Sequence, residues 1–299
     1  MPERIELLTI GEAMVEFDER ESGVWHQGVG GDTLNVAVAA ARTGARVGFA
    51  SAVGNDAWGR RIESFCQDKS IDTRAFEKNA ELSTGLYFVR HSENGHEFTY
   101  RRAGSAATRY GFSKSLDVLM SECDVVHFSG ISLAVAEPEE RLFENVFDCL
   151  VRKSARFSFD VNYRPKLWSS ECARAPISAT MKRADILMPG LEDLSMLFGI
   201  EDADAAIEFC MKFAPEILVL KNGKEDIHVV HQDQRHVISP PSVEAKDANG
   251  AGDCFAGTFL GTLIAGQHPA AAASKASEMA AKSVLSPGAL SLPSKTPDH

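Results

Sequence analysis

Asp247-Ala248-Asn249-Gly250-Ala251-Gly252-Asp253 runs directly into Cys254-Phe255-Ala256-Gly257-Thr258-Phe259-Leu260. Two glycines flank one alanine, and an apolar run of helical period begins at once. Glycine tolerates positive φ and lets another group come close to the backbone. A glycine-rich turn feeding a helix start leaves unpaired N–H groups at the positive end of the helix dipole, which suits an anion such as phosphate. Asp253 falls in the first helical turn, beside whatever those amides would hold. A carboxylate there repels phosphate, so it needs a chemical reason to be present. Taking a proton from a hydroxyl that attacks the phosphate is one such reason. The local string is equally consistent with an ordinary tight turn and a helix-start carboxylate.

Outward from this stretch, short apolar runs alternate with helical patterns. Ile5–Ile10, ending at Gly11, reads as a first strand, and Val47–Val53 as the next. Between them Gly30-Gly31-Asp32-Thr33-Leu34-Asn35 opens a helix over Val36–Ala41 that ends at Gly44. This is not the dinucleotide fingerprint, because the third glycine would fall at Thr33 or Asn35. Gly54-Asn55-Asp56-Ala57-Trp58-Gly59 leads into a helix near 60–68. Later strands are expected at 124–128, 156–161, 185–188 and 216–220, with a further pair at 226–231 and 236–238. One of the last helices opens at Pro269, a favourable first-turn position, and stops before Pro287-Gly288. The alternation predicts an α/β fold with a mostly parallel sheet and helices on both faces. Ligands then sit at the carboxyl ends of the strands.

The segment 85–102 behaves differently. Leu86–Val89 and Glu97–Tyr100 flank Asn94-Gly95, a strong hairpin signal, and both arms carry charges. With the polar segment 12–29 it suggests a small β lid. The expected division is a main α/β nucleotide- and substrate-binding domain (1–11, 34–84 and 104–299) and a lid (12–33 and 85–103).

Composition narrows the function class. The chain has 299 residues, 44% hydrophobic, and a net charge of −11 without a basic block. Nucleic acid and anionic membrane surfaces are therefore unexpected partners. Six scattered cysteines without a CxxC pair, and no basic-then-apolar leader, predict a reduced, cytoplasmic protein without structural zinc. No apolar run reaches membrane-spanning length. An anionic substrate would need local arginines or lysines.

In this order the motifs resemble those of the ribokinase-like (PfkB) family of carbohydrate kinases. Gly30-Gly31 with Asn35 resembles the family's sugar-binding turn. Gly54, Asp56 and Gly59 match its GxDxxG pattern, and Asp247–Asp253 its C-terminal signature, whose last aspartate is the catalytic base. Within the family, Gly31–Asn35, Tyr100-Arg101-Arg102, Ser129–Ala134 and Asp160–Trp168 are most similar to members acting on 2-keto-3-deoxygluconate. A sugar acid needs a partner for its carboxylate, and arginine offers a planar bidentate fork. Arg101 on the hairpin and Arg164 after a strand end are the candidates, while alternation turns Arg102 away.

The resemblance implies that the γ-phosphoryl of ATP passes to the terminal hydroxyl of the sugar acid. Gly31, Asn35, Tyr87 and Tyr100 would bind the sugar. Gly250, Ala251 and Gly252 would hold the developing phosphate charge, with Asp253 as base. Lys221-Asn222-Gly223 resembles the nucleotide-side loop, although Lys224-Glu225-Asp226 stands where a second glycine is usual. Ser277 is a candidate for the adenine pocket. ATP and Mg²⁺ are implied, a monovalent cation is compatible, and lid-to-lid homo-oligomers are expected. The family's Asn-x-x-Glu pair is replaced by Gly190-Leu191-Glu192-Asp193, so no metal ligand is assigned. A fructokinase, a 5-dehydro-2-deoxygluconokinase and a non-catalytic sugar or nucleotide sensor are the competing readings.

Overall fold

The computed structural model describes residues 4–92, 95–286, 288 and 290. Asn94 of the expected hairpin turn, and Pro287 of the expected helix stop, lie outside them. The chain divides into two compact units, one comprising residues 1–37 and 46–155, the other 38–45 and 156–299.

In chain order the first unit holds β1 (Leu7–Ile10), β2 (Met14–Glu21), β3 (Val24–Gly30) and most of α1 (Asp32–Ala41). Next come β4 (Val47–Gly54), α2 (Ala57–Asp68), β5 (Phe76–Asn79), β6 (Leu86–Ser92) and β7 (Gly95–Arg101). It ends with α3 (Lys114–Glu122), β8 (Val125–Ser129), α4 (Gly130–Val135) and α5 (Leu142–Arg152). Strands β5, β4, β1 and β8 lie side by side, all parallel. Every residue of β1, β4 and β8 is buried, which explains runs that are apolar rather than alternating. Phe49 and Phe128 are fully buried, and each such side chain contributes about 1.5–3 kcal/mol relative to exposure.

β3, β2, β6 and β7 form a separate four-stranded sheet. Pairing is antiparallel for β2 with β3 and β6 with β7, and parallel for β2 with β6. One face carries Phe17 and Phe88, stacked with centroids 5.3 Å apart, and Phe17 meets Trp58 of α2 edge-on at 5.4 Å. The other face gathers Met14, Tyr87, Val89 and Phe98. The GxDxxG motif braces this sheet's root. Asp56 caps α2 by accepting from the Gly59 amide at 2.8 Å. Its carboxylate also accepts from the Thr84 amide and hydroxyl, both at 2.9 Å. A Cβ on Gly59 would run into the Gly54 carbonyl, so a side chain is excluded there.

The second unit holds β9 (Arg156–Asp160), α6 (Ser170–Met181), β10 (Ile186–Met188), α7 (Leu191–Phe198) and α8 (Ala203–Met211). β11 (Ile217–Leu220), β12 (Ile227–His231), β13 (Gln234–Ile238), α9 (Ala251–Ile264) and α10 (Pro269–Ser283) complete it. β9, β10 and β11 are parallel, and β12 and β13 continue antiparallel. Helix α9 is buried from Cys254 to Leu263, which accounts for its apolar character all round. Gly261 is required there, because a Cβ would press on the Thr43 hydroxyl and the Ala40 carbonyl. α10 opens with Pro269 at its first turn, as expected, behind His268 as N-cap. Among the described residues no helix is long and apolar enough to cross a membrane.

Candidate functional site

In the second unit the parallel register brings the carboxyl ends of β9, β10 and β11 together, so residues distant in sequence become neighbours. Asp160 ends β9, Gly190 follows β10, and Lys221 follows β11. Gly190 and Lys221 form a parallel bridge, with the Leu191 amide donating to the Lys221 carbonyl at 2.8 Å. The Lys221 ammonium donates to Asp160 Oδ2 at 2.5 Å. Asp160 is buried, and its Oδ1 has no hydrogen-bond partner among the described residues.

Asp193, in the first turn of α7, accepts from the Tyr163 amide at 3.0 Å and the Gly190 amide at 3.1 Å. Burial pushes its carboxyl up to about 6; the Asp160 charge adds to this, while Lys221, Arg164 and the Gly190 amide oppose it. Arg164 is exposed, its Nη1 donating to the Tyr163 carbonyl at 3.1 Å, and its charge is felt by Asp193.

The stretch Asp247–Asp253 lies in the same unit. Gly250 has φ +74°, a left-handed conformation that favours glycine, and it stands at the N-cap of α9. Asp247 is buried and ties the loop down, accepting from the Asn249 amide at 2.9 Å and the Gly288 amide at 2.8 Å. Gly252 is exposed, while Gly250, Ala251 and Asp253 are half-buried, so the bend is open to an incoming group. The Ala251 amide leans on the Ala248 carbonyl at 3.3 Å, a long bond. A Cβ placed on Gly252 would lie 3.9 Å from the Lys221 nitrogen, which sets that cation beside the helix start. Gly223 has φ +57° and turns the exposed loop after Lys221. Ser277 on α10 is buried, and its hydroxyl lacks a partner among the described residues.

The first unit carries the other candidates. Gly31 has φ +141°, and a Cβ there would collide with the Glu12 carbonyl oxygen. That turn starts α1, with the Asn35 amide donating to the Gly31 carbonyl at 2.8 Å and Asn35 buried. Asp32 accepts from the Ser129 hydroxyl. Tyr87 and Tyr100 are direct cross-strand partners, stacked with centroids 6.0 Å apart. The Tyr87 hydroxyl donates to Glu16.

The two hairpin arginines exchange the faces expected of them. Arg101 ends β7 opposite Leu86, exposed and on the face away from Tyr100. Arg102 does not face away: its guanidinium lies 5.3 Å over the Tyr100 ring and pairs with buried Glu12. Arg102 stands two positions after Tyr100, so the period of two puts those two on one face and Arg101 on the other. Burial raises the Glu12 carboxyl from its ordinary range, against the pull of Arg102 and Ser105. Asp160, Glu12 and Arg102 are the residues the sequence reading did not assign. Asp160 had a signal, since it closes an expected strand where ligands bind.

Among the described residues no three His, Cys, Asp or Glu side chains are arranged to hold a metal ion. Asp193, the acid standing in the Asn-x-x-Glu position, spends both oxygens on backbone amides.

Comparison with known proteins adds independent findings. The pattern of the pfkB family carbohydrate kinases matches residues 4–296. The chain is 29% identical to the 2-dehydro-3-deoxygluconokinase of Thermoproteus tenax over 276 residues, covering 89% of this chain and 84% of that one. It is 27% identical to probable fructokinase-2 of Arabidopsis thaliana, covering 86% and 81%. Its fold matches the crystal structure of a PfkB protein from Polaromonas sp. JS666 with a TM-score of 0.86 at 26% identity, covering 94% and 96%.

Proposed function

Since the chain belongs to the pfkB family of carbohydrate kinases, we propose that it transfers the γ-phosphoryl group of ATP to the terminal hydroxyl of 2-keto-3-deoxygluconate, also named 2-dehydro-3-deoxygluconate. The observation that carries the phosphoryl chemistry is the open, left-handed bend at Gly250, with Asp253 in the first turn of α9 and Lys221 beside Gly252. The first-turn amides of α9 have no acceptor further back in the helix and point their dipoles at the anion. They stabilise charge gathering on the phosphate oxygens. Asp253 receives the hydroxyl proton as the new O–P bond forms and the bond to the leaving ADP breaks. A divalent ion bound with the nucleotide would supply charge neutralisation on the phosphate oxygens.

Sugar recognition is assigned to Gly31, Asn35, Tyr87 and Tyr100, and carboxylate recognition to the arginines. Arg164 follows a strand end, and Arg102, held against Tyr100, takes the lid role expected of Arg101, which lies on the opposite face. The relative from Thermoproteus tenax supports this substrate. The plant relative supports fructose as a second reading. ADP release across a panel of sugar acids and neutral hexoses tests the choice. The keto-deoxy acid should give the highest kcat/KM; a preference for fructose would overturn the substrate assignment and leave the kinase assignment intact.

A further inference from the structure

We infer that Asp160 is a positioning residue for the nucleotide, holding the Lys221 ammonium beside the N-terminus of α9. This rests on the nucleotide reading of Lys221 given above. Two carboxylates compete for that lysine. Asp160 takes it at 2.5 Å, while Asp193 feels its charge but is committed to the Tyr163 and Gly190 amides. Asp160 Oδ1 has no hydrogen-bond partner among the described residues, so no second hydrogen bond there draws its charge away from Lys221. Burial strengthens the pairing, because little water screens it. The outcome is a cation pinned 3.9 Å from where a Gly252 side chain would begin. A glycine leaves that approach open to an anion. An ammonium carries three donors, so after serving Asp160 it has two left for phosphate oxygens. Without Asp160 the ammonium loses the bond that holds it beside the helix start.

A double-mutant cycle on ADP binding by calorimetry, without sugar, tests this. In the wild-type background Asp160→Asn should weaken ADP binding by about threefold or more. In the Lys221→Met background the same change should have almost no effect, because the group it positions is gone. Equal weakening in both backgrounds overturns the inference, as does unchanged or tighter binding in the Asp160→Asn single variant. Melting temperatures are read alongside, and Asp160→Ser supplies the same cycle should the asparagine variant not fold. If the wild-type chain binds no ADP, both the inference and the nucleotide reading fall. If it binds ADP but phosphorylates no sugar in the panel, only the substrate reading falls, and the cycle remains decisive for Asp160.

Discussion

Asp193→Asn should change how stability depends on pH, by an amount that follows from the burial of that carboxyl. Its folded pKa stands at about 6, against about 3.9 for an unfolded aspartate. The folded form therefore binds the proton more readily than the unfolded chain. For a group raised in this way, protonation favours folding, and that contribution is lost as pH rises through about 6. Linkage makes the contribution about 1.4 kcal/mol at pH ~5 and close to zero at pH ~7.5. The asparagine variant lacks the titrating group, so subtracting its stability from that of the wild type removes every other titration. Asparagine keeps one oxygen for either the Tyr163 or the Gly190 amide, and the lost second bond costs about 1 kcal/mol at every pH. Urea denaturation of both proteins from pH ~5 to ~7.5 reads the difference. Relative to the variant, the wild type should lose roughly 1–1.5 kcal/mol across that interval. A flat difference, or a wild type that gains on the variant as pH rises, would refute the reasoning.

Two further outcomes follow from the same geometry. Asp56→Ala removes the α2 cap and strands the Thr84 amide, so it should cost about 2–3 kcal/mol, read as a lower urea midpoint; an unchanged midpoint would remove the brace from the root of β6. Arg164→Ala should raise KM for the sugar acid about tenfold or more, the worth of a charge-assisted hydrogen bond. It should leave KM for a neutral sugar almost unchanged, and an equal effect on both would end the carboxylate role.

Much of the fold is legible locally because buried parallel strands are short, unbroken apolar runs. Val47–Val53, 156–161 and 216–220 are found as β4, β9 and β11 within a residue or two at each end. The start of α1 was less visible. It begins at Asp32 rather than Val36, since the bend at Gly31 has already turned the chain. β5 escaped the sequence reading because Phe76-Glu77-Lys78-Asn79 has no period, and its strand character comes from pairing with β4. The glycine bend at Gly250 could be read because the conformation is encoded in the residues that adopt it. The Asp160–Lys221 pair could not, because 61 residues separate its members and only the sheet register joins them. Alternation itself puts Arg102 on the Tyr100 face and Arg101 on the other, but the partner that holds Arg102 there, Glu12, lies 90 residues earlier.

The most direct test of the phosphoryl-transfer role is steady-state turnover of Asp253→Asn, with ATP affinity measured separately. Turnover should fall by about two to four orders of magnitude, the usual worth of a positioned base, while ATP still binds. Turnover within about tenfold of the wild type would contradict the assignment of Asp253 as the group that takes the proton.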